Sequence, residues 1–307
     1  MKAVAFAYHN MGIVGLEALK RESFDIKAIF SHQDDPEENC WFDSVIEWGK
    51  RNQLPVFFPE NVNTPEWIGK IRKMAPDVVF SFYYRRLFGK EILSIPTSGA
   101  YNLHGSLLPA YRGRCPVNWV LVNGEQRTGV TLHHMVEKAD TGNIVGQKEV
   151  LIDFEDTALT LSKKLCAKAK ELLEELLPLI KKGIAPCLEQ DLTKGSYFGG
   201  RKPEDGKINW RWPVMRIYNL IRAVTEPYPG AFTYLSDGEK MMIWWAYPEH
   251  NNTSNHTVGA VEVKEDDIYV RASDGKLKLL DIELAKERMK GQQFFDYFKR
   301  REGVVLK

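Results

Sequence analysis

GAYNLHGSLLPAYRGRCPVNWVLVNGE, residues 99–125, begins as a strand, ends as a helix and keeps its polar groups between the two. Strand alternation puts Ala100, Asn102 and His104 on one face and Tyr101 and Leu103 on the other. Asn102 and His104 therefore emerge side by side where the strand ends. Gly105 is expected to permit a sharp turn, and residues 106–114 form a loop punctuated by Pro109 and Gly113. Pro116 suits the first turn of a helix running to about residue 123. An amide donor beside a titratable imidazole, at the C-terminal end of a buried strand, suits carbonyl chemistry. Taken alone, the pair fits an ordinary solvated turn better than a catalytic site, because short motifs match by chance.

Upstream of this stretch, buried strands and helices alternate. Residues 4–8, 26–30, 56–58 and 78–82 are apolar runs of strand length, and helical patterns lie around residues 12–19, 45–49 and 65–75. Such alternation predicts a doubly wound, mostly parallel α/β sheet of Rossmann-like type. Ligands of such sheets bind beyond the carboxyl ends of the strands, so the tips after Tyr8, Phe82 and His104 are expected to meet around one cleft. Gly12 and Gly15 follow the first strand without the full G-x-G-x-x-G pattern, and Asp34 and Asp35 fit a solvated turn, so a dinucleotide site has little support.

Downstream, residues 130–135 and 144–152 read as strands, joined by a tight polar loop at 137–143. Asp140 in that loop is by itself a turn former, since Asp-Thr-Gly is common turn chemistry. His133 and His134 face opposite sides of their strand, which leaves one of them free to approach the cleft and makes no metal site of the pair. Residues 157–177 carry an apolar stripe of Leu161, Leu165, Ala169, Leu172 and Leu176, the mark of a helix packed on the sheet. Gly183 and Pro186 end it, rather than Pro178.

Residues 195–206 are rich in glycine and charge and read as a linker between a catalytic domain, 1–194, and a smaller domain, 207–307. Within the smaller domain a helix is expected at 214–224. Short strands around 232–235, 242–246, 258–263, 268–271 and 277–283 predict a small antiparallel barrel. Trp244 and Trp245 point to opposite faces of their strand. They fit a barrel core or a dimer contact better than base stacking, which leaves a homodimer open.

The chain has 307 residues, is 44% hydrophobic and carries a net charge of +1. It is long enough for one large or two smaller folded domains, and it lacks the basic excess of a nucleic-acid binder. Cys40, Cys115, Cys166 and Cys187 form no C-x-x-C pair, so neither a zinc site nor a redox motif is supported. Lone thiols fit a reducing, cytoplasmic compartment, with Cys166 expected in the core. The N-terminal apolar run is broken by His9 and Asn10 and reads as neither signal peptide nor membrane span.

Asn102, His104, SLLP at 106–109, YRG at 111–113 and DTG at 140–142 together resemble the formyltransferase family that uses 10-formyltetrahydrofolate. FAYHNMG at 6–12, FSFYYR at 80–85, NWVLVNGE at 118–125 and YPGAF at 228–232 are similar to a branch of that family. Its members formylate UDP-4-amino-4-deoxy-L-arabinose in lipid A modification and polymyxin resistance. The likeness covers nearly the whole chain and loosens after about residue 251. It implies an OB-like C-terminal barrel and a catalytic trio of Asn102, His104 and Asp140. Asn102 donates to the formyl oxygen as that oxygen becomes anionic, His104 moves the proton, and Asp140 favours and orients the protonated imidazole. The resemblance also implies a folate site at Arg86, Leu87 and Phe88, with Arg114 and the loop of Val136, Glu137, Lys138, Ala139 and Asp140. No metal is expected.

The acceptor implied is the amine of a sugar nucleotide. The alternatives are another UDP- or dTDP-linked amino sugar, the methionyl group of initiator tRNA, or binding of folate or nucleotide without catalysis. Against tRNA stand the acidic stretch HQDDPEE at 32–38, which repels phosphates, and Gly105, where tRNA members commonly have alanine. The sequence ends at Lys307 and is expected to lack a second, decarboxylating half, so the glycan pathway served stays open.

Overall fold

The computed structural model describes residues 1–33, 39, 41–250, 257–301 and 303–307. Residues 34–38, which include Asp34 and Asp35 of the acidic stretch, and Cys40 lie outside the described residues. The chain divides into two compact units. One comprises Met1–Pro116, Arg127–Leu151 and Ser162–Gly199; the other comprises Val117–Gln126, Ile152–Leu161 and Gly200–Lys307.

In the first unit, β1 (Lys2–Ala7), β2 (Asp25–Phe30), β3 (Val56–Phe57), β4 (Val78–Phe82) and β5 (Ala100–His104) pair in parallel in the order β3-β2-β1-β4-β5. Helices α1 (His9–Arg21), α2 (Val45–Arg51), α3 (Pro65–Met74) and α4 (Lys90–Leu93) make the connections. Every residue of β4 is buried, which is why it reads as an unbroken apolar run. After β6 (Arg112–Gly113) and α5 (Pro116–Val122), β7 (Arg127–His134) returns antiparallel to β5, and β8 (Ile144–Leu151) pairs antiparallel with β7. The sheet is thus mixed, parallel on the N-terminal side and antiparallel on the other.

Gly12 and Gly15 lie inside α1, not in a turn before it. A Cβ on Gly15 would fall 2.3 Å from the Phe82 ring, so this glycine lets the helix lie close on β4. That packing role accounts for glycines here without a phosphate-binding motif.

Helix α6 (Ala158–Lys181) buries Leu161, Leu165, Ala169, Leu172 and Leu176, and Pro178 sits within it. Leu172 and Leu176 cover Gly146 of β8. Each such leucine contributes about 1.5–3 kcal/mol on burial. Cys166 is half-buried rather than in the core, and burial pushes its thiol up to about 11. The expected linker is structured in part: β9 (Tyr197–Phe198) pairs in parallel with β6.

The second unit is β-rich. Helix α7 (Val214–Val224) is followed by β10 (Ala231–Tyr234), β11 (Lys240–His250), β12 (Val261–Lys264), β13 (Asp267–Arg271), β14 (Gly275–Leu284) and β15 (Glu287–Met289), then by α8 (Gly291–Lys299). The strands pair antiparallel along the path β10-β11-β14-β13-β12, with β15 beside β14. Among the described residues this path is open, its end strands β10 and β12 being unpaired with each other. Arg222 of α7 is buried. Its Nε donates to Asn219 Oδ1 at 2.9 Å, and its Nη1 donates to the Asp153 carbonyl at 3.1 Å and the Asp156 carbonyl at 3.4 Å. Asn118 Nδ2 donates to the Ala223 carbonyl at 2.7 Å. These bonds explain why residues 117–126 and 152–161 belong with α7. Among the described residues no helix is long and apolar enough to cross a membrane.

Candidate active site

The C-terminal tips of β1, β4 and β5 meet. The Tyr8 amide donates to the Phe82 carbonyl at 3.1 Å. Tyr83, in the left-handed region at φ 62°, brings its phenol against Gly105, where a Cβ would fall 2.7 Å from its oxygen. Gly105 itself has no left-handed backbone, so it is needed for close approach and not for the turn expected from sequence. The His9 ring lies 4.2 Å from Phe42, 4.5 Å from Trp41 and 6.1 Å from Tyr83. An aromatic wall therefore borders the end of β5.

Asn102 and His104 project from β5 as alternation requires, and Asp140 comes to them from the loop after β7. His104 Nδ1 lies 3.6 Å from Asp140 Oδ1, and Asn102 Nδ2 lies 3.5 Å from the same oxygen. His104 Nε2 is 2.8 Å from the Tyr111 carbonyl, which only accepts, so Nε2 carries the hydrogen and Nδ1 faces the carboxylate. Asp140 sits at φ 55°, and its Oδ2 accepts from the Gly113 amide at 2.8 Å.

Burial pushes the Asp140 carboxyl up. The charge of His104, the hydrogen bond and charge of His133, and the Gly113 amide outweigh this and hold it well below the usual carboxylate range.

Each loop around the site is tied down by named bonds. A Cβ on Gly142 would fall 1.9 Å from the His134 carbonyl, so the turn after Asp140 closes only on glycine. Gln190 Nε2 donates to the carbonyls of Asp140, at 3.2 Å, and Gly142. Thr131 Oγ1 donates to the Ser106 carbonyl at 2.6 Å and accepts from the Leu108 amide at 3.1 Å. The Tyr111 ring stacks on Phe198 at 4.9 Å, and its amide donates to Ser196 Oγ at 2.9 Å.

Sequence reasoning assigned none of Gln190, Thr131 or Ser196 to the site, and it left His133 open. His133 is 2% exposed and its Nε2 lies 3.4 Å from Asp140 Oδ1, so it joins the trio. His134 faces away, its ring 4.7 Å from Tyr101, and burial with His133 beside it holds its imidazole below the ordinary value. The position-by-position signal that would reveal His133 is the pairing register of β5 with β7, which a single sequence does not display.

The residues expected to hold folate lie on three segments: residues 86–88 after β4, Arg114 after β6 and residues 136–140 after β7. Phe88 and Met135 both pack against one hydrophobic core group that includes Phe6, Tyr84 and Ile92. Their neighbours Leu87 and Val136 are 64% and 47% exposed. Asn63 steadies the first segment, donating to the Leu87 carbonyl at 3.0 Å and accepting from the Gly89 amide at 2.7 Å. Arg86, Glu137 and Lys138 are exposed and Ala139 half-buried. Arg114 is exposed too, directly after β6, its amide donating to the Phe198 carbonyl at 2.9 Å. Among the described residues no group of three or more His, Cys, Asp or Glu side chains is placed to hold a metal ion.

The fold has solved relatives. An N-formyltransferase from Helicobacter canadensis, in complex with folinic acid and dTDP-3-aminofucose, superposes with a TM-score of 0.71 at 22% identity, over 91% of this chain and 98% of that one. WlaRD, a sugar 3N-formyl transferase in the presence of dTDP and 5-N-formyl-THF, gives a TM-score of 0.70 at 20% identity, over 94% and 98%. A sugar N-formyltransferase from a Shewanella species gives 0.64 at 22% identity, over 80% and 97%. At these identities the likeness speaks for the fold. The sequence itself matches the formyl transferase model over residues 5–177 and the formyl transferase C-terminal domain model over residues 201–299. The mixed α/β unit carrying Asn102, His104 and Asp140, and the β-rich unit after it, are those of a formyltransferase enzyme, and the chain belongs to the formyl transferase family.

Proposed function

We propose that this enzyme takes its formyl group from 10-formyltetrahydrofolate and places it on the amine of a sugar nucleotide, UDP-4-amino-4-deoxy-L-arabinose being the favoured acceptor. The observation that carries the reading is the meeting of Asn102 and His104 at one oxygen of an ionised Asp140 whose side chain is 12% exposed. Leu87 and Val136 offer an apolar platform for the flat pterin ring, main-chain groups of residues 136–139 suit its edge, and exposed Arg114 suits its anionic tail. Bound there, the folate supplies the formyl group that the acceptor amine takes up.

The chain's own groups do the rest. Asn102 Nδ2 donates a hydrogen to the carbonyl oxygen where negative charge develops. His104 Nδ1, bare in the neutral ring, accepts the proton that leaves the amine and returns it to the departing folate nitrogen. Asp140 stabilises the imidazolium while it carries that proton. His9, Trp41, Phe42 and Tyr83 wall the acceptor's side of His104 and give a sugar or base a surface to pack on. The solved relatives that act on sugars support this acceptor class, and so does the absence of a basic excess. The branch resemblance in FSFYYR and NWVLVNGE favours the arabinose acceptor. We read the C-terminal sheet as an open OB-like module, bent by the register shifts of β11 between Ile243 and Ala246.

A panel of UDP- and dTDP-linked amino sugars and charged initiator tRNA, scored by mass spectrometry with 10-formyltetrahydrofolate, tests the proposal. Formylation of UDP-4-amino-4-deoxy-L-arabinose above the others is expected. Preference for a dTDP sugar overturns the named acceptor alone, preference for tRNA overturns the sugar class, and folate binding without turnover on any acceptor overturns both.

A further inference from the structure

β5 and β7 run antiparallel with Asn102 opposite His133 and His104 opposite Thr131. The register brings His133 beside Asn102. At 2% exposure its two ring nitrogens need partners inside the protein. Nδ1 lies 2.8 Å from the His134 carbonyl, which only accepts, so Nδ1 carries the hydrogen. Nε2 is left as an acceptor, and Asn102 Nδ2 lies 3.1 Å away. A carboxamide has two ends of almost the same shape, and the hydrogen-bond network decides which end is which. In the neutral ring the chain His134 carbonyl, His133 Nδ1–H, His133 Nε2, Asn102 Nδ2–H aims the NH2 at His133, whereas a ring carrying both hydrogens turns Nε2–H to Asp140 Oδ1, 3.4 Å away. The second hydrogen of the same NH2 faces Asp140 Oδ1 at the long distance of 3.5 Å, a weak bond that is easily exchanged for a better acceptor.

On the reading of Asn102 as oxyanion donor, we infer that His133 is a positioning residue that locks the Asn102 carboxamide in its donating orientation. It occupies one N–H and leaves the other for the oxygen that becomes anionic. Without this acceptor, the turned carboxamide presents its own oxygen to a developing anion and to Asp140, and part of the enzyme population is wrongly set at every turnover. A preorganised donor is effective because it needs no reorientation during the reaction.

The test is a double-mutant cycle of His133→Phe with Asn102→Ala, read as kcat and as KM for both substrates. His133→Phe keeps the bulk and removes the acceptor. It is expected to lower kcat by about 10- to 100-fold with KM little changed, below the roughly 100- to 1,000-fold set by loss of the donor itself. In the Asn102→Ala background the same change is expected to lower kcat by less than about threefold, because there is no amide left to orient. His133→Gln, whose carbonyl accepts, is expected to regain part of the loss. Equal effects of His133→Phe in both backgrounds, or a folded His133→Phe with normal kcat, overturn the inference and leave the Asn102 reading intact. Normal turnover by Asn102→Ala overturns that reading and the inference with it. If the His133 variants do not fold, nuclear magnetic resonance of the unaltered protein decides. A nitrogen–nitrogen coupling across the hydrogen bond from Asn102 Nδ2 to His133 Nε2 is expected, and its absence overturns the inference.

Discussion

Asp140 in the first unit and Arg222 in the second are both enclosed charges, and the two are held in opposite ways. Asp140 of the first unit is surrounded by groups that exchange protons: His104 and His133 lie 3.6 and 3.4 Å from one of its oxygens. Arg222 of the second unit is surrounded mainly by fixed acceptors, the carbonyls of Asp153 and Asp156 and the amide oxygen of Asn219. Burial lowers its guanidinium's proton affinity, and Tyr218 and Asp156 work against that shift. A carbonyl dipole holds a charge still; an imidazole passes it on. The difference separates a charge placed for chemistry from one placed to bind residues 152–161 to their helix.

The largest expected effect attacks the chemical half of this contrast. His104→Ala is expected to lower turnover about 100- to 10,000-fold, and Asn102→Ala about 100- to 1,000-fold, with the fold retained in circular dichroism. Near-normal turnover by folded His104→Ala would erase the distinction. A smaller effect belongs to the structural half. Arg222→Met leaves three acceptors without their donor and is expected to lower unfolding free energy by about 1–3 kcal/mol per group left unpaired, read from urea midpoints. Turnover per folded molecule should stay as it was. A variant as stable as the parent but inactive would move Arg222 to the chemical side.

The smallest effect is a slope. Asp140 is held below its unfolded value of about 3.9. Its ionised form therefore adds stability that is complete above that value and is lost as pH falls toward the depressed folded one. Urea midpoints of the unaltered enzyme should fall more steeply below about pH 5 than those of Asp140→Asn, which has no proton to gain. Parallel slopes would mean that His104 and His133 do not hold the carboxylate in its charged form.

The elements that sequence displays best are those whose burial has a period. β4 and α7 fall at the expected residues, 78–82 and 214–224, because every residue of one is buried and the apolar face of the other repeats at helical spacing. The pair Asn102 and His104 is legible for the same reason, as alternate positions of one strand. Asp140 is visible only through resemblance, since the turn that brings it in is stabilised by Gln190, fifty residues away. His133 depends on cross-strand register, which no local pattern encodes. The pairing of β6 with β9 escapes for want of length, two residues each. Helix α8 is a different omission: Phe294, Phe295 and Phe298 are buried at helical spacing and carry the signal in plain form.

Gly105 and Tyr83 compete for one volume at the site. A side chain at 105 and the phenol at 83 claim the same space, 2.7 Å separating the would-be Cβ from the oxygen. An alanine beside the histidine would turn the Tyr83 phenol aside, and with it one face of the aromatic wall.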